Sequence, residues 1–283
     1  MRGITSTQKI NCRTEYATLK KAVVVKPSFM KITQVINETQ KHYKNTNIDT
    51  TLAVKQHRHF LKVMRSHGIE VTELSPNPHL NEHVFTRDTA FVIDDQLFVA
   101  SMNEEVRQGE TEQLKEWLHE QSVPFQKGLE GSIEGGDVII DGDTIWVGLS
   151  GRTTFDAVKD LQRRLPSYNV RPLRLKDDIL HLDYVFNILS EDTALVYSDA
   201  FTKKDLRKLH SNYHVISVTD EEQFQMGPNV LSIGDGKVIS LPQNERLNNV
   251  LESEGYKVIR VDLSEIIKSG GSFRCCTLPL QRG

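Results

Sequence analysis

AFVIDDQLFV (90–99), VIIDGDTIWV (138–147), VFNILSEDTALVY (185–197) and VLSIGDGKVISL (230–241) decide the fold of this chain. Each is an apolar run, an acidic or glycine-bearing turn, and a second apolar run. Asp-Gly and Gly-Asp between apolar residues are strong hairpin signals, because a tight turn needs residues that tolerate positive φ. The turns begin at Asp94, Asp141, Ser190 and Gly234, so the pattern recurs at intervals of 47, 49 and 44 residues. A helix-period stretch and a further strand follow each hairpin, as in Glu110–Glu120 then VPFQ, and Asn244–Glu254 then YKVIRV. KAVVVKP (21–27), a helix over Thr51–Ser66 and a strand Glu70–Leu74 make a fifth unit, which a C-terminal strand through Phe273–Leu280 would complete. A period of this size means supersecondary units that share one core. Closing the series on itself removes exposed sheet edges, a physical reason to expect a ring. The expectation is an α/β fold in which residues 1–283 form a single domain of about five repeats.

Composition narrows the function classes. Lys and Arg number 35 against 38 Asp and Glu, a net charge of −3, so no basic excess points to nucleic acid or an anionic membrane. Three cysteines cannot build a disulfide scaffold and fit a reducing cytoplasm. The opening MRGITSTQKINCRTEY lacks the apolar stretch of a signal peptide, and no apolar run is long enough to span a bilayer. There is no CxxC, HExxH or P-loop, and His57 and His59, two apart, do not share a helix face. Neither a metal nor an organic cofactor is expected.

Aligning the repeats on their turns exposes an unusual column of residues. Asp88 lies six residues before its turn, Glu134 and Asp183 seven, and His181 nine, with Gly227 at the matching place of the fourth hairpin. A ring would bring these groups together at one end of its axis. Each has a bland reading when taken alone. Glu134 in IEGGD could introduce a turn, His181 could be a satisfied interior histidine, and Asp88 could be a cap or the partner of Arg87. Cys275 in GGSFRCCTLPL could be a small core residue. Together they make a coherent site. A cysteine attacks as thiolate and needs a positive neighbour, which His181 can supply before moving protons as general acid and base. Glu134 would orient that imidazole. Attack on a neutral ester or amide wants oxyanion donors, whereas Asp88 and Asp183 add two carboxylates. These suit a planar cation with several N–H donors, and a guanidinium is that group.

The motifs FTRDTA (85–90), RQGE (107–110), IEGGD (133–137), LSGRT (149–153), HLD (181–183) and GGSFRCCTLPL (270–280) resemble, in this order, the guanidino-group-modifying superfamily. That superfamily holds dimethylarginine dimethylaminohydrolases, arginine deiminases and amidinotransferases. The resemblance implies a five-unit ββαβ α/β propeller, a pentein-type ring with the active site on its central axis. It also implies cysteine attack on a guanidino carbon, a covalent thiouronium-type intermediate and hydrolysis to citrulline plus ammonia or a methylated amine. By position, Cys275 resembles the nucleophile, His181 the general acid and base, and Glu134 its partner. Asp88 and Asp183 resemble the guanidinium-binding carboxylates, Arg107 and Arg152 the residues that hold a substrate α-carboxylate, and Phe85 a pocket wall. The implied partner is a small arginine-like guanidine, and the reading leaves room for a homodimer. The compact length and LSGRT are similar to bacterial dimethylargininases, whereas Asp183 two after the histidine, and Arg87 beside Asp88, follow the deiminase and amidinotransferase pattern. The alternatives are an amidinotransferase passing the amidino group from arginine to an amine acceptor, or a hydrolase of another small guanidine.

Overall fold

The run AVVV at 22–25 is buried on both of its faces, which sets the first strand, β1 (Leu19–Val25), inside the molecule. The computed structural model describes residues 9–283, so the first half of the opening read above for a signal peptide lies outside the described residues. A helix, Thr50–Ser66, follows β1. Asp49 caps it through Leu52 N–H, at 3.0 Å, and Ala53, Phe60, Leu61 and Met64 form its buried stripe. It returns the chain to β2 (Glu70–Leu74), parallel to β1.

The four hairpins form in the expected places: β3 (Ala90–Ile93) with β4 (Gln96–Val99), and β5 (Val138–Asp141) with β6 (Thr144–Leu149). Next in the chain is β7 (Asn169–Arg174), parallel to β6. The third hairpin is β8 (Phe186–Ile188) with β9 (Thr193–Val196), joined in parallel by β10 (His214–Ser217). The fourth is β11 (Leu231–Gly234) with β12 (Lys237–Ser240), joined by β13 (Lys257–Arg260). Asp235 and Gly236 in its turn both have positive φ, 52° and 67°, as a type I′ turn demands. The chain ends on β14 (Leu278–Arg282), which pairs antiparallel with β1 and completes the first sheet.

Two details depart from the sequence reading. VPFQ does not become a strand; Gln126 alone bridges to Phe98 beside β4. Pro124 lacks the N–H that a longer ladder would need. The C-terminal strand also begins later than Phe273, because Ser272–Thr277 turn helically, Cys276 N–H reaching Ser272 O at 2.9 Å.

The result is five small sheets, one of two strands and four of three. Strand contacts join them in part: β14 meets β3, β1 meets β11, and β5 meets β8. Phe91 and Phe98 of the second sheet pack with Val138 and Ile140 of the third, and Leu189 and Leu195 of the fourth with Val230 and Val238 of the fifth. Just before the first strand of four sheets the backbone makes a short helical turn, at Thr86–Thr89, Gly135–Asp137, Leu182–Tyr184 and Gly227–Asn229. These turns contact one another in series. Among the described residues, no helix is long and apolar enough to cross a membrane.

Candidate active site

The four turns and the helical turn at 272–277 carry the ionisable column to one place. His181 is buried, and its Nε2 lies 2.7 Å from Glu134 Oε2 while its Nδ1 lies 3.6 Å from Asp88 Oδ1. Burial works against an imidazolium here, but the charge of Asp88 and the hydrogen bond to Glu134 outweigh it and lift His181 to about 9. Glu134 accepts from Asn103 N–H at 3.1 Å and from Arg152 Nη1 at 3.4 Å. Burial would raise its carboxyl, yet His181, Arg107 and Arg152 hold it down at about 2.

The approach of Asp88 to His181 depends on Gly136. A Cβ on that residue would stand 2.7 Å from Asp88 Oδ1 and 2.8 Å from His181 Nδ1. Asp88 Oδ1 and His181 Nδ1 are buried without a hydrogen-bond partner, 3.6 Å apart. Asp88 is not the partner of Arg87. It accepts from Arg107 Nη1 at 2.8 Å, whereas Arg87 turns away to Glu15, Gly135 O and Val138 O.

Cys275, buried like them, lies against Asp183. Its Sγ lies 3.7 and 3.9 Å from the two carboxylate oxygens of Asp183 and receives Asn229 Nδ2–H at 3.2 Å. Burial, then the charges of Asp183 and Asp88, push the thiol well above its ordinary value. Burial also raises Asp183, to about 6, against the pull of Arg274 and His181. The Phe85 ring packs against Gly271 beside Cys275: a Cβ on Gly271 would collide with that ring and come within 3.0 Å of Cys275 Cβ. Tyr184 stands edge-on to His181, ring centres 6.3 Å apart.

The two arginines differ in placement. Arg107 is closed by Glu110, at 3.1 and 2.8 Å, and by Asp88, so it turns inward. Arg152 borders a cavity of about 400 Å³ with Val35, Asn37, Glu104 and Ile179, and donates to Ile36 O at 2.8 Å. The segment around Ile36–Gln40 thus covers the cluster, and Gln40 fastens it to Glu82 and Ser269 at 2.9 and 2.8 Å.

Asp88, Glu134 and His181 offer ligand atoms within 4.8 Å of one another, as a metal site would. Arg107 and Arg152, already bonded to two of those carboxylates, oppose a divalent cation there.

Three residues escaped the sequence reading. Asn229 lies two before β11, as Asp88 lies two before β3, in the turn where the sequence count had singled out Gly227. Its Oδ1 accepts both Cys275 N–H and Ser272 N–H at 3.2 Å. Asp137 ties the third sheet to the His181 turn by accepting Leu182 N–H at 2.9 Å. Arg274 carried no periodic signal.

Five small sheets, with a cysteine, a histidine and three acidic side chains gathered at the turns between them, define the class: the guanidino-group-modifying superfamily. Within it the chain belongs to the family described as N,N dimethylarginine dimethylhydrolase, eukaryotic, whose profile matches residues 26–282. It is 49% identical to the uncharacterized Bacillus subtilis protein YkgA, over 98% of this chain and 97% of that one. It is 27% identical to the N(G),N(G)-dimethylarginine dimethylaminohydrolase of Mycobacterium tuberculosis, over 90% of this chain and 83% of that one. The fold is similar to the substrate-bound N-terminal domain of the cyanobacterial arginine dihydrolase ArgZ, with a TM-score of 0.85, 24% identity and coverage of 93% and 98%.

Proposed function

We propose that this chain hydrolyses the guanidino group of arginine or an N-methylated arginine through a covalent intermediate on Cys275, with its five sheets closed into a pentein-type ring around that site. The observation that carries the reading is the convergence of Cys275, Asp183, Asp88, His181 and Glu134 in one buried cluster. The family match and the relatives named for dimethylarginine and arginine hydrolysis support it.

The electrostatics suggest an order of events. With its thiol pushed up and its imidazole held charged, the site rests as thiol and imidazolium. A guanidinium held by Asp88 and Asp183 brings positive charge beside Sγ and favours the thiolate, the thiol proton passing to solvent as the substrate enters. The thiolate attacks the guanidino carbon, forming the C–S bond. The C–N bond to the leaving nitrogen then breaks, and His181 donates the proton that this nitrogen takes. Water attacks the thiouronium carbon, giving one proton back to His181; the C–S bond then breaks, and the remaining hydroxyl proton passes to the departing sulfur, leaving citrulline and restoring the thiol and imidazolium. Glu134 keeps the imidazole oriented, and Arg107, closed onto Glu110, orients Asp88. Arg152 at the cavity rim would receive the α-carboxylate on releasing Ile36 O. The three unbridged cysteines support placing this chemistry in a reducing cytoplasm.

Mass spectrometry of the protein incubated with arginine, monomethylarginine and asymmetric dimethylarginine tests the reading. Citrulline and a Cys275 adduct are expected; folded protein yielding neither from any of the three would refute it. A dimethylated nitrogen has lost both N–H donors, leaving a carboxylate acceptor unpaired at a cost of about 1–3 kcal/mol, roughly five- to 150-fold in rate. Arginine or monomethylarginine should therefore show a kcat/KM at least equal to that of dimethylarginine.

A further inference from the structure

Arg274, immediately before Cys275, is a fully buried cation with an asymmetric set of partners. Its Nη1 donates to Glu15 Oε2 at 2.7 Å and reaches Asn187 Oδ1 at 3.5 Å. Glu15 is itself fixed from behind, its Oε1 accepting Arg87 Nη2–H at 2.9 Å and Ile140 N–H at 3.1 Å. The other edge of the Arg274 guanidinium, Nε and Nη2, has no hydrogen-bond partner. That edge approaches Asp183, with Nε 3.6 Å from Oδ2. The four groups make a buried line of alternating charge, Arg87, Glu15, Arg274 and Asp183, that ends beside the Cys275 sulfur.

We infer that Arg274 is a positioning residue for Asp183, supplying the field that keeps this carboxylate ionised while leaving its oxygens free for a cationic guanidine. A carboxylate sealed among apolar walls tends to take up a proton, and a protonated Asp183 could not receive a guanidinium. A cation in direct bidentate contact would prevent that but would also fill the acceptor positions the substrate needs. At 3.6 Å, held back by Glu15, Arg274 does the first without the second. Burial still raises Asp183 to about 6, so the balance is fine enough to be disturbed by one substitution.

The groups facing Asp183 are Arg274 and Cys275 from the C-terminal turn, Arg87 and Asp88 from the turn before β3, and His181 and Tyr184 from its own turn. Asn229, which donates to the Asp183 carbonyl, is uncharged. Among the cations, Arg274 acts on Asp183 most strongly, ahead of His181 and Arg87.

The inference rests on the guanidine-binding role proposed for Asp183, so its test uses a readout that needs no turnover. In protein labelled with ¹³C-carboxyl aspartate, the Asp183 resonance is assigned by its loss in Asp183→Asn, and its titration is followed by NMR. Removing an opposite charge at this distance disfavours the ionised form, so Arg274→Gln should raise the midpoint by about one pH unit or more. Arg274→Lys, which keeps the charge, should recover most of that rise. The acid limb of kcat/KM should move upward in step, with Asp183→Asn insensitive to Arg274→Gln. Should Arg274→Gln fail to fold for want of a partner to Glu15, the double variant Glu15→Gln/Arg274→Gln should show the same rise. An unmoved midpoint in folded protein, or a Lys variant displaced as far as the Gln variant, overturns the inference. A raised midpoint in a protein that turns over no guanidine would instead sink the functional reading and leave standing only the electrostatic part, that Arg274 keeps Asp183 ionised.

Discussion

Gly136→Ala should cost far more activity than one methyl group suggests. The added Cβ would stand 2.7 Å from Asp88 Oδ1, 2.8 Å from His181 Nδ1 and 2.9 Å from His181 Cγ, where ordinary contact begins at 3.4 Å. Relief needs a movement of about 0.6 Å, and neither neighbour moves easily. Asp88 is held by Arg107 at 2.8 Å and His181 by Glu134 at 2.7 Å, all of them buried. Overpacking of this kind costs about 1–3 kcal/mol, and in a chain of this size each kcal/mol lowers Tm by about 2–4 °C. Displacing a reacting group by a large fraction of an ångström costs on the order of 10²-fold in rate. Gly135→Ala makes the control, because its Cβ would strike the backbone carbonyls of Arg87 and Ala90. It should lower Tm more than Gly136→Ala does, while Gly136→Ala should lose more kcat per degree of Tm lost. Citrulline production and a thermal melt on both variants decide the matter. A Gly136→Ala protein with wild-type kcat and Tm would refute the account of how Asp88 and His181 are brought together.

Cys275→Ser should abolish turnover and Cys276→Ser retain most of it, since only Cys275 lies against Asp183, where the guanidinium is proposed to bind; mass spectrometry should find the substrate adduct on Cys275 and not on Cys276. His181 is raised from 6.5 to about 9, so the stability it contributes is complete below 6.5 and is lost as pH rises through 9. The kcat profile should fall over the same alkaline limb as the imidazolium loses its proton, and a Tm series against pH should show that His181→Ala lacks this decline. Asn229→Ala leaves the buried N–H groups of Ser272 and Cys275 without their acceptor, and denaturant titration should find a loss of about 2–4 kcal/mol. A loss under about 0.5 kcal/mol would mean that other groups satisfy the turn.

The sheets could be read from the chain because their signals are local. AFVIDDQLFV and VLSIGDGKVISL each carry two apolar runs and the turn that joins them, and the interval between copies announces a repeated unit. The same count put Asp88, Glu134 and His181 in one column, and their turns do meet. Tertiary structure decided what local pattern cannot carry. Arg87 looked like the partner of Asp88 because they are adjacent, but successive side chains diverge, and Glu15, far off in sequence, claims Arg87 while Arg107 claims Asp88. Asn229 and Arg274 matter only because distant segments bring Cys275 and Asp183 against them, at positions whose residue types announce nothing alone. The proton affinities of the site are likewise a property of the assembled molecule. They come from burying two carboxylates, a thiol and an imidazole among neighbouring charges, and the balance of those charges is set by distances that no stretch of sequence contains.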